Sequence, residues 1–313
     1  MTLIDHPDNP IPEGCNSGSM RTSDGVALRY AHWPATGGPR RGTVTLLQGR
    51  AEFIEKYFEV IKDLRQRGFA VIAFDWRGQG GSERLLRNRC KGHIGNMKQF
   101  REDLHTILQK VSLAEYPGPH FALAHSTGGA VLLSDALRLR TMLDRVVLSS
   151  PLTGMLDNGW KERWSFRVAA AFKWVGLGRL YIPGGNGDLF VDFEENRQTQ
   201  DRTRFERFNA VLRQAPELGL GSPTIGWLYA VSRAILSLRK REYGPSVSLP
   251  CLVVAAGKDR IVSTPATEEL VSRMKSAGYL EIAGAEHELL MERDAIRDQF
   301  WAAFDAFIPG QAG

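Results

Sequence analysis

A chain of 313 residues, 43% hydrophobic and 24% charged, is too apolar for disorder and lacks the composition of a collagen-like repeat. Its length suits one large core with an insertion. Forty basic against thirty-five acidic residues give a net charge of +5, a mild bias that points to no nucleic-acid partner.

Three widely spaced cysteines, Cys15, Cys90 and Cys251, form neither a disulfide framework nor a CxxC zinc pair. The N-terminus carries acidic residues and prolines where a secretory signal needs basic residues and then an apolar run of about 7–15. No segment approaches the roughly 18 uncharged apolar residues that span a bilayer. The expected location is cytoplasmic, with any membrane contact peripheral.

Residues 1–20, rich in Pro, Asn, Gly and Ser, are expected to form a loose arm. Val26 to His32 alternates as a strand, and Pro34, Gly37, Gly38 and Pro39 read as a turn. Thr43–Leu47 is a short apolar run of the kind found in a strand covered on both faces. From Phe53 to Arg67 apolar residues recur at three-and-four spacing, which predicts a helix stopped by Gly68. Ala70–Asp75 is a buried strand, Met97–Val111 a helix, His120–Ala124 a strand, Thr127–Arg140 a helix and Arg145–Ser149 a strand. Strands alternating with helices of about 10–15 residues predict an α/β sheet paired in parallel through crossovers.

After Pro151 the alternation stops. It resumes at Cys251–Ala256, followed by a helix from Pro265, a strand at Tyr279–Ile282 and a helix over Ala295–Phe307. The stretch between has helical periodicity and four of the seven tryptophans, Trp160, Trp164, Trp174 and Trp227. The expected organisation is a core over 1–152 and 244–313 with a helical cap inserted over 153–243. That cap holds fourteen basic and ten acidic residues, so most of the net charge lies on it.

In Ala124-His-Ser-Thr-Gly128 a strand turns tightly into a helix, with Ser126 at the turn between small residues two positions away. This is the arrangement of a nucleophile elbow, G-x-S-x-G, with Ala124 in place of the first glycine. Read alone, Ser126 also fits an ordinary N-cap. A serine nucleophile needs a histidine base oriented by an acid. Asp259 follows the strand Cys251–Ala256 and His287 follows the strand Tyr279–Ile282, so all three fall at strand carboxyl ends in the order serine, acid, histidine. His125, next to the serine, is expected to point away, and His93 stays open as a site-lining residue.

The developing oxyanion needs two donors. The Thr127 amide at the following helix start is one, and the Arg50 amide in Gln48-Gly49-Arg50 is the other candidate. Asp75-Trp-Arg-Gly-Gln-Gly-Gly-Ser82 matches neither GxGxxG nor GxxxxGK[ST] and is read as a wall beside the elbow. No metal-ligand spacing is visible.

These motifs, with Gln48-Gly-Arg-Ala-Glu52, Gly257-Lys-Asp-Arg-Ile-Val262 and Gly284-Ala-Glu-His287, resemble those of the α/β-hydrolase superfamily. Within it they resemble the bacterial lysophospholipase and monoacylglycerol-lipase branch. That branch usually has His-Gly where this chain has Gln48-Gly49, and Gly where it has Ala124. Gly221-Ser-Pro-Thr-Ile-Gly-Trp227 in the cap is a softer match.

The resemblance implies a mostly parallel sheet flanked by helices with an inserted cap, and a serine hydrolase of a single-chain lipid ester. It also implies no cofactor. Gln48, Gly49, Trp164 and Trp227 are the expected substrate-binding residues. The apolar stripe Trp160, Trp164, Val168, Ala171 and Val175 beside Lys161, Arg163 and Arg167 suits an anionic membrane surface or an acyl tunnel, and equally an ordinary packed helix. A general carboxylesterase, an amide or peptide hydrolase and a non-catalytic receptor of the same fold remain as alternatives. The sequence does not specify the oligomeric state.

Overall fold

The apolar runs pair into one eight-stranded sheet. The computed structural model describes residues 2–156 and 159–309; residues 1, 157–158 and 310–313, which belong to the expected core and cap ranges, lie outside the described residues. The strands are β1 (Asn16–Arg21), β2 (Ala27–Trp33), β3 (Gly42–Leu47), β4 (Phe69–Phe74), β5 (His120–His125), β6 (Arg145–Ser149), β7 (Cys251–Ala256) and β8 (Ala277–Ile282). Their order is β1-β2-β4-β3-β5-β6-β7-β8. All neighbours from β4 to β8 are parallel, and β1 and β2 add as an antiparallel edge.

Numbered in chain order, the α-helices of seven or more residues are α1 (Phe58–Gln66), α2 (Met97–Ile107), α3 (Thr127–Leu133), α4 (Trp160–Trp174), α5 (Arg202–Gln214), α6 (Ile225–Leu238), α7 (Thr264–Ser272) and α8 (Asp294–Phe307). The predicted helix from Phe53 opens as a 3-10 turn over Ile54–Tyr57 before α1. The predicted Thr127–Arg140 helix breaks between Leu133 and Ala136.

The central strands are buried throughout because alternate residues feed opposite layers. Ile72, Phe74, Ala122, Ala124, Val146 and Leu148 face one layer, with Leu104, Val131 and Ile235 from α2, α3 and α6. Val71, Ala73, Phe121, Leu123 and Val147 face the other, with Phe58, Leu64, Phe300 and Phe304 from α1 and α8. Each valine, leucine, isoleucine or phenylalanine among them stabilises by about 1.5–3 kcal/mol when fully buried.

The N-terminal segment is not the loose arm expected. Residues 16–21 form β1, Leu3 is buried, and Asn9 Nδ2 donates to the Glu55 carbonyl at 2.9 Å. Composition concealed this because one buried leucine, one side-chain hydrogen bond and an exposed edge strand leave no long hydrophobic run.

Between β6 and β7 the chain leaves the sheet and forms α4, α5 and α6. Glu59 on α1 ties this stretch down: it accepts from Arg204 of α5 at 2.7 and 3.0 Å and from Arg207 at 2.7 Å, beside Arg297 of α8 at 3.2 Å. On α4 the buried positions are Glu162, Phe166 and Ala169, and Arg239 pairs with Glu162 at 2.7 Å. The stripe through Trp160 and Trp164 therefore faces outward, with those two residues 74% and 63% exposed and Trp174 89% exposed.

Candidate active site

The turn from β5 into α3 forces Ser126 into a backbone conformation that side chains rarely adopt, φ 49° and ψ −113°. Three hydrogen bonds over-determine it. The Ser126 amide donates to the Ser149 carbonyl at 3.1 Å, and the Ser126 carbonyl accepts from Leu152 at 3.0 Å and Ala130 at 3.2 Å. The turn also brings α3 hard against the end of β3. A Cβ at Gly128 would lie 2.5 Å from the Leu47 carbonyl oxygen, so glycine is required there. Ala124 lies in β5, fully buried and paired with Leu47.

Asp259 follows β7 and is held from two sides. Its Oδ1 accepts the amides of Ile261 and Val262 at 2.8 and 2.9 Å, and its Oδ2 meets His287 Nδ1 at 2.7 Å. Burial pushes the Asp259 carboxyl up, but the hydrogen bond and charge of His287, with the two amides, outweigh it and hold it below the ordinary carboxylate value. A carboxylate on Nδ1 makes that nitrogen the proton-bearing one and leaves Nε2 as the basic face. His287 is buried, and it lines with Ser126 one cavity of about 180 Å³. The elbow motif, the strand-end positions and the chain order pointed to these three residues; Ser126 and His287 share the cavity and Asp259 stands behind His287.

The same cavity is lined by Arg50 and Thr127. The Gly49 amide donates to Glu52 Oε2 and the Ala51 amide to Gln79 Oε1 at 3.0 Å. Between them the Arg50 amide makes no hydrogen bond among the described residues, and neither does the Thr127 amide at the start of α3. Gln79 belongs to the Gly-rich loop after β4, which is itself pinned by Asp75 accepting the amides of Ile54 at 2.9 Å and Gly81 at 2.7 Å. That loop therefore braces the segment bearing Arg50.

Of the expected substrate-binding residues, Trp227 lines the cavity. Gly49 sits behind it, where a Cβ would meet Glu52 Oε2 at 2.9 Å and His125 Cδ2 at 3.0 Å. Gln48 is fully buried with neither side-chain polar atom hydrogen-bonded. Trp164 stands exposed on α4, outside the residues that line the cavity. His93 instead meets Thr224 Oγ1 at 2.8 Å, at the N-cap of α6.

His125 does not point away. Its ring lines the cavity, 4.8 Å from that of His287, with Nδ1 3.2 Å from the Ser149 carbonyl. Burial pulls its pKa down to about 4 against the opposing charge of Glu52, so it is neutral near pH 7. Its place beside the serine misled because His125 ends β5, where the chain begins its turn.

The sequence reading also missed Lys56, Gln198 and Glu288. Lys56 Nζ bridges Glu52 at 2.8 Å and Glu288 at 2.5 Å. Glu52, His125 and Glu288 have ligand-type atoms within 4.8 Å of one another, and the Lys56 ammonium answers the two carboxylates. Glu52 lies inside one quoted motif and Glu288 directly follows another. Gln198 comes from the inserted stretch with no local signal.

A strained serine, a histidine–carboxylate pair and two unbonded amides on one cavity are the parts of a nucleophilic hydrolase site. The model of the Hydrolase_4 family, described as serine aminopeptidase S33, matches residues 38–294.

The chain belongs to this family.

A probable lysophospholipase L2 of Haemophilus influenzae is 29% identical over 289 residues, covering 92% of this chain and 90% of that protein. A monoacylglycerol lipase of Mycolicibacterium smegmatis is 26% identical over 275 residues, covering 86% and 88%. The structure of a soluble variant of monoglyceride lipase from Saccharomyces cerevisiae, in complex with a substrate analog, superposes with a TM-score of 0.75 at 20% identity, covering 94% of this chain and 95% of that one. The fold is that of the α/β hydrolases.

Proposed function

We propose that this Hydrolase_4 member is a carboxylic ester hydrolase that acts through an acyl-enzyme on Ser126, with single-chain lipid esters of the lysophospholipid or monoacylglycerol type as substrates. The observation that carries the mechanism is the His287–Asp259 bond of 2.7 Å at the cavity that Ser126 lines. His287 Nε2 takes the Ser126 proton as Oγ attacks the ester carbonyl, and the Arg50 and Thr127 amides stabilise the oxyanion. Collapse breaks the ester C–O bond, and His287 returns its proton to the departing alcohol. The same base then activates water to release the fatty acid and restore the serine.

An aminopeptidase reading, which the family description raises, needs an unpaired carboxylate for the substrate ammonium. The carboxylates lining this cavity, Glu52 and Glu288, share the Lys56 ammonium between them, so neither stands without a cationic partner. The relatives named for lysophospholipid and monoacylglycerol hydrolysis support the ester reading.

The stretch 153–243 acts in this proposal as a cap over a core of 1–152 and 244–313. Exposed Trp160, Trp164 and Trp174 beside Arg163 and Arg167 favour peripheral contact with an anionic membrane. Among the described residues no helix is long and apolar enough to cross a membrane. The experiment is kcat/KM across acyl esters of increasing chain length and aminoacyl arylamides, with Ser126→Ala as control. Long-chain monoacyl lipids are expected to lead, and a preference for arylamides would overturn the reading.

A further inference from the structure

Three of the arginines buried in the core each answer a carboxylate. Arg29 meets Glu55 at 2.7 Å and Asp75 at 2.6 Å, Arg77 meets Asp103 at 2.7 Å, and Arg297 meets Asp63 at 2.6 Å. Arg50 has no such partner among the described residues. Its Nη2 donates to the Gly221 carbonyl, and its Nε is buried with no acceptor. Arg65 and Arg84 also lack a carboxylate, and the Arg84 Nε is likewise without an acceptor, but Arg84 places its terminal nitrogens on the carbonyls of Gly78, Glu217 and Gly219, and neither residue lines the Ser126 cavity.

Arg50 Cζ lies 5.6 Å from the ring centroid of Trp227, whose Nε1 is likewise buried without an acceptor. Both residues line the Ser126 cavity, and Arg50 also lines the adjoining cavity of about 590 Å³. Guanidinium and indole are donors only. A half-buried cation with a buried donor to spare and no anion beside it is left incompletely answered unless a ligand completes it. Burial pulls the guanidinium down to about 10, so it is still charged at neutral pH.

We infer that Arg50, with the indole N–H of Trp227, receives the phosphate of a lysophospholipid head group and so sets the preference for lysophospholipid over monoacylglycerol. This rests on the ester-hydrolase reading above. A phosphodiester is an acceptor-only anion matched to the guanidinium fork, whereas the hydroxyls of a monoacylglycerol leave the charge unanswered. Only the glycerol separates the phosphate from the scissile ester, which puts it beside the residue whose backbone amide faces that ester. Asp188, Asp192 and Glu195 line the larger cavity, which suits a zwitterionic head group whose ammonium follows its phosphate.

The test compares 1-acyl lysophosphatidylethanolamine with the monoacylglycerol of the same acyl chain, below their aggregation concentrations. The readout is the ratio of the two kcat/KM values in wild type, Arg50→Gln and Trp227→Phe. The ratio is expected to fall about 10- to 100-fold in Arg50→Gln and severalfold in Trp227→Phe, which keeps the ring and guards against a folding failure of the first variant. Taking a ratio cancels any shared change in the oxyanion loop.

Binding of a non-hydrolysable 1-alkyl ether lysophosphatidylethanolamine to Ser126→Ala protein gives a readout free of catalysis. That binding should weaken by a similar factor when Arg50→Gln is added. Ratios unchanged in both variants would overturn the inference while Ser126-dependent hydrolysis still upholds the ester reading. So would competition by inorganic phosphate that depends on Arg50 without any change in the ratio, since Arg50 would then hold free phosphate and not the substrate.

Discussion

Glu52 accepts the backbone N–H of Gly49, three residues before it, and thereby fixes the loop on which the unbonded amide of Arg50 sits. Tyr57 donates its hydroxyl to the same oxygen at 2.7 Å, and Lys56 holds the other oxygen at 2.8 Å. The carboxylate is fully engaged in holding a backbone shape. Glu52→Gln keeps the size but weakens the charge-assisted bonds. We expect kcat on a soluble short-chain ester to fall about 10- to 100-fold with little change in KM, because the loss falls on oxyanion stabilisation. Steady-state kinetics of that variant checks it.

Asp259 holds His287 through Nδ1 and is itself held by two amides. In Asp259→Asn the amide either presents an NH₂ to Nδ1 or turns away from it, and the imidazole loses its orienting charge. By analogy with serine triads elsewhere, kcat should fall by about 10³- to 10⁴-fold, with the melting temperature moving little. Kinetics and thermal unfolding of one preparation separate the two effects.

Glu59 joins α1 to α5 and α8. Burial pushes its pKa up, but its hydrogen bonds from Arg204 and the charges of Arg297, Arg204 and Arg207 bring it to about 2, below its ordinary 4.5. A depressed folded-state value means that ionised Glu59 stabilises the fold fully above about 4.5, and that the contribution is lost as pH falls through about 2. Glu59→Gln should cost about 1–3 kcal/mol near neutral pH. The gap between wild type and variant should be flat above about pH 6 and close as the pH falls toward the folded-state value. Denaturant unfolding across that range measures it.

The outward stripe of α4 yields a separate prediction. Replacing Trp160, Trp164 and Trp174 together by alanine should reduce binding to anionic vesicles at least about tenfold, since each large aromatic side chain brings about 1.5–3 kcal/mol of transfer when fully buried. Turnover of a soluble short-chain ester should change by less than about twofold, because none of the three lines the Ser126 cavity. Vesicle co-sedimentation beside an esterase assay reads both.

The residues proposed as the reacting centre were legible because each sits at a strand end marked by a local pattern. Ser126 lies in a small-residue turn, while Asp259 and His287 each follow an apolar strand. The central strands were legible for the same reason: burial on both faces leaves a continuous apolar run. What escaped depends on long-range pairing. Lys56 is one charged residue in a helical segment until the fold sets it between Glu52 and Glu288, which is 232 positions away. Gln198 reaches the cavity from the inserted stretch. His125 was misjudged from its place beside Ser126, because it ends β5, where the chain enters the turn. The edge strand β1 was hidden by its exposed, polar face.

The most direct measurement is the covalent labelling of Ser126 by a fluorophosphonate, followed by intact mass and peptide mapping and paired with hydrolysis of a long-chain monoacyl lipid. The account predicts one adduct per chain, on Ser126. It further predicts labelling slowed by orders of magnitude in His287→Ala, and neither labelling nor hydrolysis in Ser126→Ala. An adduct on another residue, or wild-type hydrolysis by Ser126→Ala, would contradict it.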